Sequence, residues 1–280
     1  MDAPNLGTAL ARHLSNNPSG GSFPESTVDY FDRFKRLDEW LNANIHKHVN
    51  QGATAKRDED ADPDEPNLWL TDHGPEHIHT VIQRASSLVC EEKCLLSPYE
   101  TYLLLLSIHF HDVGNIYGRD KHEQRITTVM GQIETNLLGA NTLEKRMVRD
   151  IAMVHGGKID GDKDTIRHLP YERQFKKNEP RVHLLAALLR ISDELAEDHT
   201  RTSRFLIENK LIEGSEMYHM YADRLRRVQL FPHEHRVALQ FEIDTGIGMR
   251  TFSKDGTQGF LYDEFQLRLL KMHKEVVYCN

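Results

Sequence analysis

The sequence has little cysteine and no long apolar run. Its three cysteines, Cys90, Cys94 and Cys279, are an odd and sparse set that excludes a disulfide framework and fits a reducing compartment. No apolar segment approaches the roughly 18 residues that a membrane-spanning helix needs. Residues 1–21 have neither a cluster of positive charge nor a long apolar stretch, so we expect no secretory signal. These absences predict a soluble, cytoplasmic protein with no membrane partner.

The sequence also lacks an excess of positive charge. A formal net charge of -8 argues against a broad electrostatic footprint for duplex nucleic acid and favours a small-molecule substrate. Cys90 and Cys94 lie one helical turn apart and could form half of a zinc site, but the chain has no matching second cysteine pair. We therefore interpret both cysteines as structural residues.

Apolar residues recur at helical spacing through most of the chain. Six segments predict helices: 26–49, 75–89, 97–110, 126–137, 141–154 and 180–195. Ser97, Pro98 and Glu100 form a capping box with proline in the first turn. The run from 102 to 110 is apolar on all sides, so this helix should lie at the centre of the fold.

We predict three regions along the chain. Residues 1–24 are rich in Asn, Gly, Ser and Pro and predict a flexible N-terminus. Residues 25–204 form the predicted helical domain. Within it, 50–67 is a predicted acidic loop, because it has almost no apolar side chain to bury, and 157–180 is long enough for a lid over a site.

The third region, 205–280, has a different pattern. Apolar and polar residues alternate over 237–243, which predicts a strand, and 228–231 is its expected partner. Residues 246–259 predict Gly-rich turns, and the apolar residues from 261 to 276 predict a closing helix. A small α+β appendage therefore follows the helices.

Two histidines and two carboxylates fall on the buried faces of the predicted helices, in a chain with 17 histidines. His77 borders an apolar stripe, His111 and Asp112 end the most apolar helix, and Asp193 lies within another apolar run. An unpaired ionised carboxylate in a core normally protonates, pairs with a cation or binds a metal. Imidazole nitrogen with carboxylate oxygen suits Mn, Fe, Co, Ni, Zn or Mg. The four residues therefore indicate a divalent-metal site.

The order of these residues also resembles a known family signature. His77, then His111-Asp112 in HFHDVGN, then Asp193 in LLRISDELAEDHTR resembles the HD superfamily of metal-dependent phosphohydrolases, over roughly residues 68–204. The resemblance implies a mainly α, HD-type helical bundle and makes these four residues metal ligands. HD families with two metals have further histidines between the His-Asp pair and the last Asp. His122 and His155 are the matching positions, so the resemblance implies one or two ions.

The resemblance and the metal chemistry together predict hydrolysis of a phosphoester or phosphoanhydride in a nucleotide-like substrate. A bound divalent ion lowers the pKa of its water toward about 7 and withdraws charge from a phosphoryl oxygen. With two ions, Asp112 would be the bridging carboxylate. A general acid for the leaving oxygen is expected among His73, His122 and His155.

Four basic residues are candidates for binding the substrate phosphate. Arg201 and Arg204 follow Asp193 and could bind phosphate with a forked geometry. Lys158 and Arg167 lie in the predicted lid. A solvated loop is the alternative for that segment, because aspartates are interleaved with its basic residues.

Three other functions fit the same residues. A metal-dependent nuclease on single-stranded nucleic acid would need an aromatic, basic groove, for which Tyr117 and Arg119 give weak support. A diiron oxygenase would use the same His-rich centre to activate dioxygen. A non-catalytic regulatory module would keep the metal for stability and contact a protein partner, or a second copy of the chain, through the C-terminal region.

Overall fold

The computed structural model describes residues 4–50, 71–90, 92–119, 121–170, 179–212, 214–254 and 257–279. These residues form a mainly helical structure with two small antiparallel hairpins, which confirms the predicted fold class. The α-helices are α1 (Ala9–Asn16), α2 (Tyr30–Asn44), α3 (Pro75–Val89), α4 (Pro98–Phe110), α5 (Ile126–Gln132), α6 (Thr135–Leu138), α7 (Thr142–Met153), α8 (Val182–Glu194), α9 (Arg204–Glu208), α10 (Glu216–Arg224), α11 (Thr245–Gly248) and α12 (Leu261–Tyr278).

Short 3-10 helices connect several of these elements. They are Pro4–Gly7, His46–His48, Val113–Tyr117, His122–Arg125, Ile166–His168, His199–Arg201 and Pro232–Glu234. No helix in the described part of the chain combines the length and apolar character needed to cross a membrane.

Helix α4 is the central element, as its sequence predicts. The Ser97 hydroxyl accepts a hydrogen bond from the Glu100 backbone N–H, and the Glu100 carboxylate accepts one from the Ser97 backbone N–H, so the capping box is confirmed. Every residue from Tyr99 to Phe110 is buried, because α1, α2, α3, α7 and α8 all contact this helix. The end of α4 therefore lies deep inside the molecule.

The N-terminal segment differs from the predicted flexible lead-in. Thr8 caps α1 by accepting a hydrogen bond from the Ala11 backbone N–H, and Leu10, Ala11 and Leu14 are fully buried against the other helices. The apolar pattern of α1 is too short to stand out in the sequence beside the surrounding Asn, Gly and Ser residues. It becomes stable through tertiary burial, which local composition does not report.

Two predicted helices are shorter than expected, and two predicted loops lie partly outside the described residues. The segment 26–49 gives α2 and then a 3-10 turn, and the segment 126–137 divides into α5 and α6 because Ile133 is extended. The predicted acidic loop 50–67 lies, apart from Asn50, outside the described residues. Of the predicted lid, 157–170 and 179–180 are described.

The C-terminal region contains two hairpins and a closing helix. Strand β1 (Leu225–Phe231) pairs antiparallel with β2 (Arg236–Phe241), and this pairing was predicted. A second hairpin pairs β3 (Thr251–Lys254) with β4 (Thr257–Phe260), where the sequence predicted turns. These strands are short and mostly polar, so they have no alternating apolar pattern to detect.

A second apolar cluster holds this region together and joins it to the bundle. Met217, Tyr221, Leu225 and Leu261 pack with Leu195, which follows α8. Helix α12 also contacts α8 directly. The division of the chain at residue 204 stays a prediction, whereas the packing brings the C-terminal region beside the helix that carries Asp193.

Candidate metal centre

Four side chains that the sequence singles out meet at the buried end of α4. His77 comes from the first turn of α3, Asp193 from the last turn of α8, and His111 and Asp112 directly follow α4. Their nitrogen and oxygen atoms all lie within 4.8 Å of one another. We call these four residues the first donor group.

The closest contacts in the first donor group each join an imidazole nitrogen to a carboxylate oxygen. His77 Nε2 is 3.2 Å from Asp193 Oδ1, and His111 Nε2 is 3.2 Å from Asp112 Oδ2. The two imidazole Nε2 atoms are 3.3 Å apart. Both histidines are fully buried, so solvent does not separate these atoms.

A second donor group shares Asp112. His122 Nε2 is 3.1 Å and His155 Nε2 is 3.8 Å from Asp112 Oδ1, which is the oxygen atom that the first group contacts less closely. The two Nε2 atoms are 3.4 Å apart, and both histidines are buried. The Asp112 carboxylate thus lies between two sets of imidazoles, with one oxygen atom directed to each.

The protonation of three imidazoles follows from their backbone contacts. In His111, His155 and His122, the Nδ1 atom lies 2.6, 2.6 and 3.1 Å from the carbonyl oxygen three residues earlier. A carbonyl oxygen only accepts hydrogen bonds, so Nδ1 carries a hydrogen in each ring and Nε2 is the atom directed to the centre. This arrangement is typical of metal-binding histidines.

The donor set fits a divalent metal ion. Lone pairs of imidazole nitrogens face each other and face carboxylate oxygens, and such an arrangement of acceptors is repulsive unless a proton or a cation lies among them. Mixed imidazole and carboxylate donors are those that first-row transition metals and Mg accept. The buried Nδ1 of His77 also has no hydrogen-bond partner among the described residues.

The electrostatics of the centre show how strongly it favours positive charge. Burial on its own would raise the pKa of both carboxylates. His111 and His73 outweigh burial at Asp112, and His111 and His77 outweigh it at Asp193. Both pKa values therefore lie well below the usual range. Burial would lower the pKa of His111, but the two carboxylates raise it to about 10. The carboxylates therefore stay ionised and attract a cation.

A glycine after the His-Asp pair allows the second group to approach. At Gly114, an added Cβ atom would lie 1.9 Å from the carbonyl oxygen of His122. No side chain fits such a distance, so the segment carrying His122 packs directly on the backbone that follows Asp112. The sequence predicts Gly114 as a helix stop, and the structure adds this close approach.

His73 and Arg201 extend the centre on one side. His73 Nδ1 is 2.9 Å from Asp112 Oδ2, and Arg201 Nη2 lies 2.8 Å from His73 Nδ1 and 3.2 Å from His73 Nε2. Arg201 is buried, and its Nε donates to the Asp72 backbone oxygen at 2.8 Å. Burial, followed by the positive charge of Arg201, lowers the pKa of His73 to about 3, so His73 is neutral at physiological pH.

Three other predicted phosphate-binding residues have different surroundings. Arg204 pairs with Asp223 at 3.2 Å, and Arg167 pairs with Asp162 at 3.2 Å. Lys158 lines a separate cavity of about 320 Å³. Their role in binding phosphate stays a prediction.

His109, the histidine two residues before His111, makes a buried contact with Asp38 at 3.2 Å. It therefore faces α2 and not the donor groups.

Sequence reasoning gave little weight to two residues beside the centre. Arg119 Nη1 is 3.6 Å from Asp112 Oδ1, and its side chain is half exposed. Glu197 lies 3.4 Å from Arg201. Burial would raise the pKa of Glu197, but the positive charges of Arg201 and Arg268 outweigh burial and lower this pKa to about 2. A regular spacing of four residues separates Asp193, Glu197 and Arg201. This spacing is the signal in the sequence that could have identified Glu197.

Comparison with known protein families gives one result. A family model described as HD-CE matches residues 65–247, which is more than half of the chain. The chain belongs to the HD-CE family. The HD-CE match includes both donor groups and extends beyond residue 204 into the C-terminal hairpin region. A search of the curated proteins and a search of the solved structures each gave no match.

Proposed function

We propose that this HD-CE protein is a metal-dependent phosphohydrolase that cleaves a phosphoester or phosphoanhydride bond in a nucleotide-like substrate. The observation that carries the proposal is the shared carboxylate: Asp112 directs one oxygen atom to the first donor group and the other to the second. Two-metal hydrolases use such a bridging ligand to hold two ions about 3.5 to 4 Å apart.

The ligand assignment follows the two groups. His77, His111, Asp112 and Asp193 would hold one ion, and Asp112, His122 and His155 would hold the other. Bound divalent ions would supply a water of lowered pKa and would withdraw charge from the phosphoryl oxygens. Mn, Mg, Fe, Co, Ni and Zn all accept these donors.

The remaining residues position the carboxylate and the substrate. The ring of neutral His73 lies between Asp112 Oδ2 and the Arg201 guanidinium, so His73 would help to fix the orientation of the carboxylate. With a pKa near 3, His73 carries no second proton at neutral pH, which favours a positioning role over the role of general acid.

Arg119 is the better placed cation for the substrate phosphate. Its guanidinium reaches the outer side of Asp112 and remains half exposed, so it can turn toward a bound phosphoryl group. Arg201 is held by His73, Glu197 and the Asp72 carbonyl, and it presents its positive charge from a fixed position. Together they would offset the negative charge that develops during hydrolysis.

The proposal is tested by an activity screen of the full chain. Protein reconstituted with Mn²⁺, and the same protein with EDTA, would be assayed against nucleoside phosphates, p-nitrophenyl phosphate and short oligonucleotides. We expect phosphate release that requires the metal. Metal-loaded protein that hydrolyses none of these substrates would refute the proposal, and oxygen-dependent turnover by the iron-loaded protein would favour the oxygenase alternative.

A further inference from the structure

A cavity of about 470 Å³ opens beside the metal centre and reaches the C-terminal region. Its inner end is formed by His73, Arg119 and Arg201, which surround Asp112 on its open side. Its outer end is formed by Lys254 from β3 and by Arg268 and Lys271 from α12, which lie beyond the predicted helical domain. The volume lies in the range that binds small molecules.

The charge of this cavity is opposite to that of the whole chain. Among the described residues that line it, five are basic (Arg119, Arg201, Lys254, Arg268 and Lys271) and two are acidic (Glu197 and Glu264), on a chain whose net charge is -8. A concentration of one sign in a concave site raises the local concentration of ligands of the opposite sign. We call this site the basic cavity.

The cations at the outer end are held in place by residues that also face the cavity. Glu264, which is buried, binds Lys254 at 2.6 Å and Arg268 at 2.7 Å. The ring of Tyr218 lies 5.4 Å from the Lys254 ammonium and 5.5 Å from the Arg268 guanidinium. Arg268 also pairs with Glu197 at 3.3 Å. Together with Glu194, which pairs with Lys271, three carboxylates face the five cations of the basic cavity, and this leaves positive charge available to an anionic ligand.

Two of the outer cations are accessible to a ligand. The side chains of Lys254 and Lys271 are 29% and 51% exposed, whereas Arg268 is 12% exposed. Lys271 is paired with Glu194 at 2.6 Å, a residue at the end of α8 beside Asp193. Because the Lys271 side chain is half exposed, a phosphate group can approach its ammonium while Glu194 stays paired with it.

We infer that the outer end of the basic cavity, through Lys254, Lys271 and Arg268, binds a second anionic group of the substrate. This inference rests on the proposed function, because the first phosphate would lie at the metal centre. It identifies the substrate class as a phosphate compound with at least two phosphate groups, such as a nucleoside polyphosphate. The C-terminal region then contributes specificity to a site whose metal ligands all come from the helices before it.

The test compares competitors that contain one phosphate group or several. Inhibition of p-nitrophenyl phosphate hydrolysis by inorganic orthophosphate and by inorganic tripolyphosphate would be measured at a fixed free Mn²⁺ concentration. We expect the wild type to prefer tripolyphosphate. Because each charge-assisted contact contributes at least about 1.5 kcal/mol, the double variant Lys254→Gln/Lys271→Gln should lose this preference by at least about tenfold.

Two matched variants control for charge and for general surface effects. Lys254→Arg/Lys271→Arg should retain most of the preference, since it keeps both positive charges. Lys274→Gln, an exposed position on the same helix that does not line the basic cavity, should leave the preference unchanged. A wild type without preference for tripolyphosphate, or a preference that the double Gln variant retains, would overturn the inference.

The failure of the proposed function would be distinguishable from the failure of this inference. If the wild type hydrolyses no phosphoester, binding of tripolyphosphate to the Mn-loaded wild type and double Gln variant would be measured by calorimetry. Weaker binding by the variant, by at least about tenfold, supports an anion site even then. Equal binding by the two proteins overturns it.

Discussion

The two ends of α4 each carry a buried polar cluster. In one cluster hydrogen-bond donors match acceptors, and in the other acceptors converge. At the N-terminal end, the Tyr99 hydroxyl donates to Glu144 at 3.2 Å and Arg33 donates to the same carboxylate at 3.3 Å. We call these three residues the tyrosine cluster. At the C-terminal end, His111 and Asp112 meet further imidazoles and a second carboxylate, so hydrogen-bond acceptors converge there among the described residues.

The comparison shows that burial of polar groups does not by itself mark a functional site. Burial raises the pKa of Glu144 to about 7, although the positive charge of Arg33 opposes this rise. The Glu144 carboxyl group is therefore about half protonated at pH 7. Burial acts in the same direction on Asp112, but the surrounding imidazoles reverse it. A cluster of matched donors and acceptors stabilises a fold, whereas converging acceptors need an additional cation.

Removing the carboxylate at each end gives the largest expected contrast. Asp112→Ala removes a ligand from both donor groups and should lower kcat/KM for p-nitrophenyl phosphate by at least about 10³-fold, or about 4 kcal/mol of transition-state stabilisation. Glu144→Gln should keep activity within about tenfold of the wild type. Steady-state kinetics with saturating Mn²⁺ would measure both. Similar losses in the two variants would remove the distinction between the clusters.

The pH dependence of stability should single out the tyrosine cluster. Because the folded pKa of Glu144, about 7, exceeds its ordinary value of 4.5, proton binding favours the folded state. This contribution is complete below pH 4.5 and is lost as the pH rises through 7. The rise in pKa corresponds to about 3 kcal/mol.

Urea unfolding of the wild type and Glu144→Gln at pH 4.5 and pH 8 would measure this effect. The glutamine variant cannot ionise, so the wild type should lose about 3 kcal/mol relative to it between the two pH values. The metal centre is common to both proteins and cancels in the difference. A difference in unfolding free energy that does not change with pH would contradict the interpretation of Glu144.

A smaller effect should separate the two donor groups at the C-terminal end. His122→Ala removes a ligand from the second donor group alone, so the variant should bind one Mn²⁺ ion per chain where the wild type binds two. Activity should also fall, by less than in Asp112→Ala, because the second ion would no longer withdraw charge from the phosphoryl oxygens. Elemental analysis and kinetics would measure the two quantities, with Tyr99→Phe in the tyrosine cluster as the control. One ion per chain in the wild type would show that the groups form a single site.

The sequence predicts the mainly α fold and the positions of the first donor group because both depend on local patterns. Asp193 stands out as a carboxylate within an apolar helix, and His111-Asp112 as a polar pair at the end of a buried one. His122 and His155 came from the family resemblance alone. His122 lies in a 3-10 helix, and His155 follows α7, which mixes charged residues with apolar ones, so neither histidine stands out against an apolar run.

The remaining site residues depend on contacts between distant segments. Arg268 and Lys254 come beside Arg201 only because α12 and the second hairpin pack on α8 and α10. In the sequence each is an ordinary charged residue on a polar stretch. The buried N-terminal α1 has the same origin, since a short helix gains its stability from the surface that it covers.

Gly114 can pack against the His122 backbone because its Cα atom carries a hydrogen where other residues carry a Cβ atom. A methyl group at position 114 would force the His122 backbone outward and leave His77, His111 and Asp193 in place. The same His-Asp dipeptide would then be expected to serve a centre for one ion rather than two. In this chain, the residue two positions after the aspartate therefore decides whether the segment of His122 can fold back over the carboxylate.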